Sequence, residues 1–221
     1  AISHATVIAG IIGAKSDNSK GMAGINWDVQ LMSLRILDNM GVGDSFAANK
    51  AIEYAVDNGA DIVNVSFTGF AHDPIFMAAL KKAYEAGVLV VAAVGNSEDG
   101  GIDVDEDKIY PACYGENAEH DWILGVASSD QENNKSAFSN YGLQCTDISA
   151  PGENIFSTVY QDDQWLDFKD DYYLNGWSGT SMAVPMVVGA AALLKGAYPT
   201  LTPAEIKVIL QISHFISFSL Y

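Results

Sequence analysis

Val88-Leu89-Val90-Val91-Ala92-Ala93-Val94, closed by Gly95-Asn96-Ser97, is an unbroken apolar run that stops at a Gly-Asn turn. A strand with one wet face alternates apolar and polar residues. A run with no polar position reads instead as a strand covered on both faces, the habit of a parallel sheet between helices. The flanking sequence fits such a sheet. Residues 60–67 read as a second strand, preceded by an amphipathic helix over 45–56. Asp73-Pro74 opens a helix over 74–86. Residues 29–37 read as a strand, as do 122–127 and 146–149, and Thr202-Pro203-Ala204-Glu205 is a capping box that starts a last helix. Strands alternating with helices at this spacing imply right-handed crossovers and one parallel sheet.

Chemistry-bearing residues stand at the ends of these elements. Trp177-Ser178-Gly179-Thr180-Ser181-Met182-Ala183-Val184-Pro185 leads into a small, apolar run to Leu194. The glycine permits a tight turn, and Ser181 falls where a helix begins, so its own N–H is not consumed by the helix ladder. That N–H and the positive helix end can stabilise an oxyanion formed by attack of the Ser181 hydroxyl. The plain alternative is a serine that merely caps a core helix. A hydroxyl needs a base, and the chain has four histidines: His4, His72, His120 and His214. His4 opens an apolar, small-residue helix pattern over 3–14; the other three sit among polar residues or near the C-terminus. Asn96 ends the 88–94 strand, where α/β sheets gather their ligands, and its amide can give an oxyanion a second hydrogen bond. Read alone, Gly95-Asn96 is a turn.

Together these motifs resemble the subtilisin-like serine proteases, the subtilases. Gly179–Pro185 matches their nucleophile signature, the 3–14 segment their histidine helix and Ala92-Ala93-Val94-Gly95-Asn96 their oxyanion strand. Ala5 and Val7 depart from the family's residues beside the histidine. The resemblance implies Ser181 as nucleophile, His4 as general base and Asn96 as oxyanion donor. It implies a three-layer αβα, doubly wound, mostly parallel sheet forming one catalytic domain over 1–221, with 212–221 a frayed or truncated tail. Subtilases order their triad Asp, His, Ser, and the chain opens three residues before His4. Asp57-Asn58-Gly59 is explained as a helix stop. The chain is therefore read as a fragment, lacking its N-terminal strand or strands, impaired as it stands and carrying an unpaired sheet edge.

By the same resemblance, Met40, Gly41, Val42 and Gly43 and the segment Ser66, Phe67, Thr68 and Gly69 grip an extended peptide, with Ala93, Val94 and Gly95 walling the pocket beside the scissile bond. Phe67 and Thr68 replace smaller residues common in the family, and plain turns are the alternative for both segments. The function expected is that of a serine endopeptidase; the alternative is a non-catalytic peptide-binding protein of the same fold. The related Ser-Glu-Asp peptidases would place an acid where His4 stands.

Composition narrows the partners. The chain has 221 residues, 28 Asp and Glu against 11 Lys and Arg, and a formal net charge of −17. That balance argues against nucleic acid and anionic membrane as partners, which need clustered cations; the family resemblance implies a polypeptide substrate, and a monomer is expected. Residues 186–194 read as too short to span a bilayer. Cys113 and Cys145 lie on either side of the 122–127 strand; a bridge and two free thiols are both open, the bridge if the protein is exported. An extracellular or cell-envelope location is expected, with an intracellular one as the alternative. The chemistry requires no cofactor. Structural calcium is a hypothesis for the Asp17-Asn18 loop, which resembles a calcium loop of the family, or for the acidic loop of Asp99, Asp103, Asp105 and Glu106.

Overall fold

The structure, a computed structural model, describes residues 3–38, 40–115, 121–161 and 171–218, with side chains to residue 213. Four strands, β1 Ile62–Val65, β2 Leu89–Ala93, β3 Ile123–Ser129 and β4 Ile148–Pro151, form a parallel sheet in the order β1-β2-β3-β4. Helices α1 His4–Gly13, α2 Ser45–Asp57, α3 Pro74–Glu85, α4 Thr180–Ala197 and α5 Pro203–Phe218 surround it. Strand β2 shows why there are three layers. Val90 and Ala92 join one core with Ala48 and Ile52 of α2 and Phe76 and Leu80 of α3. Leu89, Val91 and Ala93 join the other with Ile12 of α1, Val184 and Val187 of α4 and Ile206 of α5. Alternate side chains thus feed opposite layers, and each fully buried Val or Leu is worth about 1.5–3 kcal/mol.

The helix starts follow the sequence. Asp44 accepts from Ala47 N, and Asp73 accepts from Ile75 N and Phe76 N with Pro74 in the first turn. Thr202 N donates to Glu205 Oε2 at 2.8 Å while Glu205 N donates back to Thr202 Oγ1 at 3.3 Å, the capping box in full.

Four expectations are corrected. Residues 29–36 form no strand; only Leu37 makes a bridge, to Gly43. A strand is defined by its ladder, and among the described residues nothing pairs with this segment. Helix α5 runs to Phe218, into the stretch expected as a frayed tail; residues 219–221 lie outside the described residues. Helix α4 has 18 residues and is long and apolar enough to cross a membrane. It is instead the central core helix, with Met182, Ala183, Val184, Val187 and Ala191 buried against the sheet. Finally, β5 Ile155–Thr158 and β6 Tyr173–Trp177 form an antiparallel pair that the sequence reading left unassigned.

Two crosslinks brace the far side. Cys113 and Cys145 are bridged, which decides between the alternatives left open by sequence. Lys207 on α5, only 4% exposed, donates to Asp121, to Asp147 at 2.8 Å and to the Ile123 carbonyl at 2.6 Å.

The sheet is open on the β1 side. In a parallel ladder alternate residues bond to one neighbour. Leu89 N donates to Asp61 O, so the backbone of Asp61, Val63 and Val65 serves β2, while that of Ile62 and Asn64 faces away. A cleft of about 1690 Å³ runs there, between 28–37 on one side and 58–67 on the other.

Candidate active site

Helix α4 starts beyond Gly179, its N-cap, at φ 146°, a conformation that an L side chain rarely adopts. Ser181 is therefore the second helical residue, not a cap, and its N–H lies in the first turn, free of an intrahelical partner. Asn96 emerges from β2 beside this turn. Its Oδ1 accepts from Thr180 N at 2.9 Å. Thr180 N can only donate, so the amide is fixed with its oxygen inward and its NH₂ outward. A Cβ on Gly179 would stand 3.4 Å from that NH₂; glycine leaves the donor clear. Asn96 Nδ2 and the α4 N-terminus thus face a common space, and Asn96 is exposed to it.

A second connection reaches Ser181 from β1. Ser181 Oγ donates to the Ser66 carbonyl at 3.0 Å, Ser66 Oγ donates to the Ser181 carbonyl at 3.0 Å, and Asn64 Nδ2 donates to Ser66 Oγ at 2.9 Å. Ser66 continues the outward parity of Ile62 and Asn64, so the nucleophile sits at the end of the open edge. The sequence places Ser66 in the peptide-gripping segment and marks no role for Asn64. Their signal was available: two polar residues at i and i+2 share a strand face.

His4 is the first residue of α1 and half-buried. It lines the open cleft together with Ser66 and Trp177, and α1 packs on α4. Burial holds its imidazole below the ordinary histidine value, so it is neutral at neutral pH and able to accept a proton. Among the described residues it makes no hydrogen bond to Ser181, whose proton rests on the Ser66 carbonyl. Nor, among the described residues, does a carboxylate hydrogen-bond it. The structure therefore links Asn96 to the start of α4 through Thr180 and places His4 in the cleft that Ser66 shares.

The segments assigned to substrate divide. Met40, Gly41, Val42 and Gly43 form a turn pinned by Asp38, whose carboxylate accepts from Met40 N and Val42 N at 2.9 Å each; the Leu37–Gly43 bridge closes it. Gly69 exchanges two 2.9 Å hydrogen bonds with Tyr110, and Phe67 stacks on Phe76 in the α2–α3 core. Ala93 and Val94 also point into the core. Gly95 is buried, with φ 91°, and a Cβ there would stand 2.9 Å from the Asn140 amide nitrogen and 3.5 Å from the Thr68 and Ile109 side chains. His72 packs edge-on against Tyr110 and Tyr114, a structural role. His120 lies outside the described residues, as does the side chain of His214.

In the Asp17-Asn18 loop the Asn18 side chain is engaged locally. Asn18 Oδ1 already accepts from Lys20 N, and no group of three or more His, Cys, Asp or Glu able to hold a metal occurs among the described residues. In the acidic loop, Asp105 is spent on the backbone N–H groups of Leu143, Gln144 and Cys145.

Residues 2–214 match the sequence model of the subtilase family, peptidase S8. The chain belongs to that family. This subtilase is 35% identical over 205 residues to subtilisin DY of Bacillus licheniformis, covering 92% of this chain and 67% of the relative. It is 38% identical over 191 residues to thermitase of Thermoactinomyces vulgaris, covering 86% and 60%. Among solved structures it superposes on a cold-adapted subtilisin-like serine proteinase with a TM-score of 0.78 at 28% identity, covering 95% of this chain and 67% of that one. The subtilase thus spans about two thirds of these relatives.

Proposed function

We propose that this subtilase works as a serine endopeptidase on polypeptides. Ser181 Oγ attacks the peptide carbonyl, His4 takes its proton and returns it to the leaving amine, and the oxyanion is held by Asn96 Nδ2 and Ser181 N–H. The observation that carries this reading is the Asn96–Thr180 hydrogen bond, which aims a side-chain donor and a helix N-terminus at one point. In this resting arrangement the nucleophile is parked on Ser66. Activation consists of turning the Ser181 hydroxyl from that carbonyl toward His4.

The disulfide supports an oxidising, extracellular setting, in line with a relative named minor extracellular protease Epr of Bacillus subtilis. The substrate contacts we assign are backbone contacts at 40–43 and 66–69, with Gly95 walling the pocket beside the scissile bond, and we take the working unit to be a monomer.

Covalent labelling with a fluorophosphonate tests the reading. We expect one adduct, on Ser181, abolished in Ser181→Ala. In a subtilisin the loss of the oxyanion asparagine costs about 10²–10³ in kcat, and a comparable fall in labelling is expected for Asn96→Ala. An unlabelled Ser181 would leave a peptide-binding groove without chemistry.

A further inference from the structure

Beyond β2 the chain runs through 95–102, carrying Asn96, and lies along segment 136–141. Asn96 pairs with Ser139 in an antiparallel bridge. Ser97 N donates to Phe138 O at 2.9 Å, Asn140 N to Gly95 O at 3.1 Å and Tyr141 N to Ile102 O at 3.1 Å. The Asn140 amide extends the seam, donating to Val94 O and accepting from Ile102 N, both at 3.1 Å.

At the middle of this seam the two backbones come very close. Gly101 has φ 81°, and a Cβ there would lie 2.1 Å from the Ser139 carbonyl oxygen. Carbonyls from both segments converge, and a single cation sits among them. Lys135 Nζ is 2.9 Å from Gly100 O, 2.9 Å from Ser139 O and 3.1 Å from Ser136 O. It also stands 5.4 Å from the Tyr141 ring centroid. An ammonium has three donors and no acceptor, and here all three go to neutral carbonyl oxygens. Among the described residues no carboxylate pairs with it. Convergent backbone carbonyls from separate segments are the way proteins hold a monovalent metal ion.

We propose that Lys135 is a tethered cation, which takes the place of a bound monovalent ion in this carbonyl cage and thereby positions Asn96. The proposal rests on the reading of Asn96 as oxyanion donor. Lys135 does not touch substrate; it is a positioning residue. Its ammonium offsets the mutual repulsion of the three carbonyl dipoles. It thus ties Gly100, four residues beyond Asn96, to Ser139, the residue paired with Asn96. Without the charge, the 95–102 loop is held by its remaining seam bonds while the oxygens push it outward, and the Asn96 amide loses its fixed direction.

The test compares the intact chain with Lys135→Ala, Lys135→Met and Lys135→Arg by two readouts, amide hydrogen exchange and the rate of Ser181 labelling by a fluorophosphonate. In Lys135→Ala we expect faster exchange at the Ser97 and Asn140 amides. The maximal labelling rate should fall about tenfold, less than the 10²–10³ expected for removing the donor itself, with reagent affinity kept. Lys135→Met should behave likewise, and Lys135→Arg, which keeps a charge, should retain most of the rate. Ammonium or potassium ions should restore protection and rate in Lys135→Ala, while choline at equal ionic strength should not. Unchanged exchange in both uncharged variants, or equal restoration by choline, overturns the tethered cation. If Ser181 of the unaltered chain takes no label, the catalytic reading fails instead. The cage is then judged by exchange alone, and lost protection that ammonium and potassium leave unrestored overturns it.

Discussion

Asn96 and Ser181 are joined by one neutral hydrogen bond to Thr180 and by the shape of Gly179, whereas His4 is placed by the start of a helix and by burial. The difference sets what each can do at rest. The amide is already oriented for a developing oxyanion; the imidazole is neutral and ready but unattached. Because burial lowers the His4 value, its base form fills at lower pH than in a free histidine, whose value is about 6.5. Labelling of Ser181 should therefore rise with pH through a midpoint below about 6.5 and be flat at neutral pH. Stability carries the same sign. The unfolded chain binds the proton more tightly than the folded one, so this contribution is present above the unfolded value and is lost as pH falls through the folded one. A labelling profile whose midpoint lies above that of free histidine would show that His4 is not the buried base. Candidate roles for Ser181, His4 and Asn96 were readable in the sequence because each sits in a short string whose chemistry is local. The Ser66–Asn64 connection was not, since it depends on β1 and α4 meeting across 115 residues of chain.

At the scale of elements, what could be read was what neighbours in sequence decide. The β2 run and the capping residues of α2, α3 and α5 carry their own signals. Segment 29–36 carried a strand's apolar pattern and still forms none, because pairing is a property of two segments. The β5–β6 pair went unseen for the converse reason, being short, mixed in polarity and defined by its partner. Lys207 was equally invisible as a core residue: nothing in Glu205-Ile206-Lys207-Val208 tells that its ammonium reaches Asp121, Asp147 and the Ile123 carbonyl. Burial pushes the Asp147 carboxyl up even with Lys207 beside it, and its charge is offset chiefly by that cation, with Gly125 N–H and the Gln211 amide also donating to it. Lys207→Met should cost about 3–5 kcal/mol, the range for breaking a buried pair, measured by urea denaturation at neutral pH. The loss should shrink at low pH, where Asp147 is protonated. A loss below about 1 kcal/mol would mean that water reaches Asp147 freely.

For the whole molecule, the decisive feature is that its parallel sheet stops at β1 while the surface beside it is still shaped for a strand. Among the described residues the outward N–H and C=O groups of Ile62 and Asn64 meet no partner along a cleft of about 1690 Å³, and Asn64 Oδ1 is buried there without a hydrogen bond. Large apolar side chains lining it are exposed, with Leu31 at 47% and Met32 at 42%. An unpaired edge beside apolar surface is a template for another chain. The net charge of −17 opposes association at long range, but salt screens it within about 8 Å at physiological ionic strength, while edge pairing acts at contact. We therefore expect the isolated chain to self-associate with rising concentration, and more readily in salt, as followed by sedimentation velocity. Ile62→Pro removes an N–H that faces the cleft rather than β2, at the first position of a strand, where proline is tolerated. It should reduce association while leaving the β1–β2 ladder and the Ser66–Ser181 bonds in place. If Ile62→Pro associates as strongly as the parent chain, the contact lies elsewhere; if the parent stays monomeric in high salt, the β1 edge is shielded by the flanking 28–37 segment.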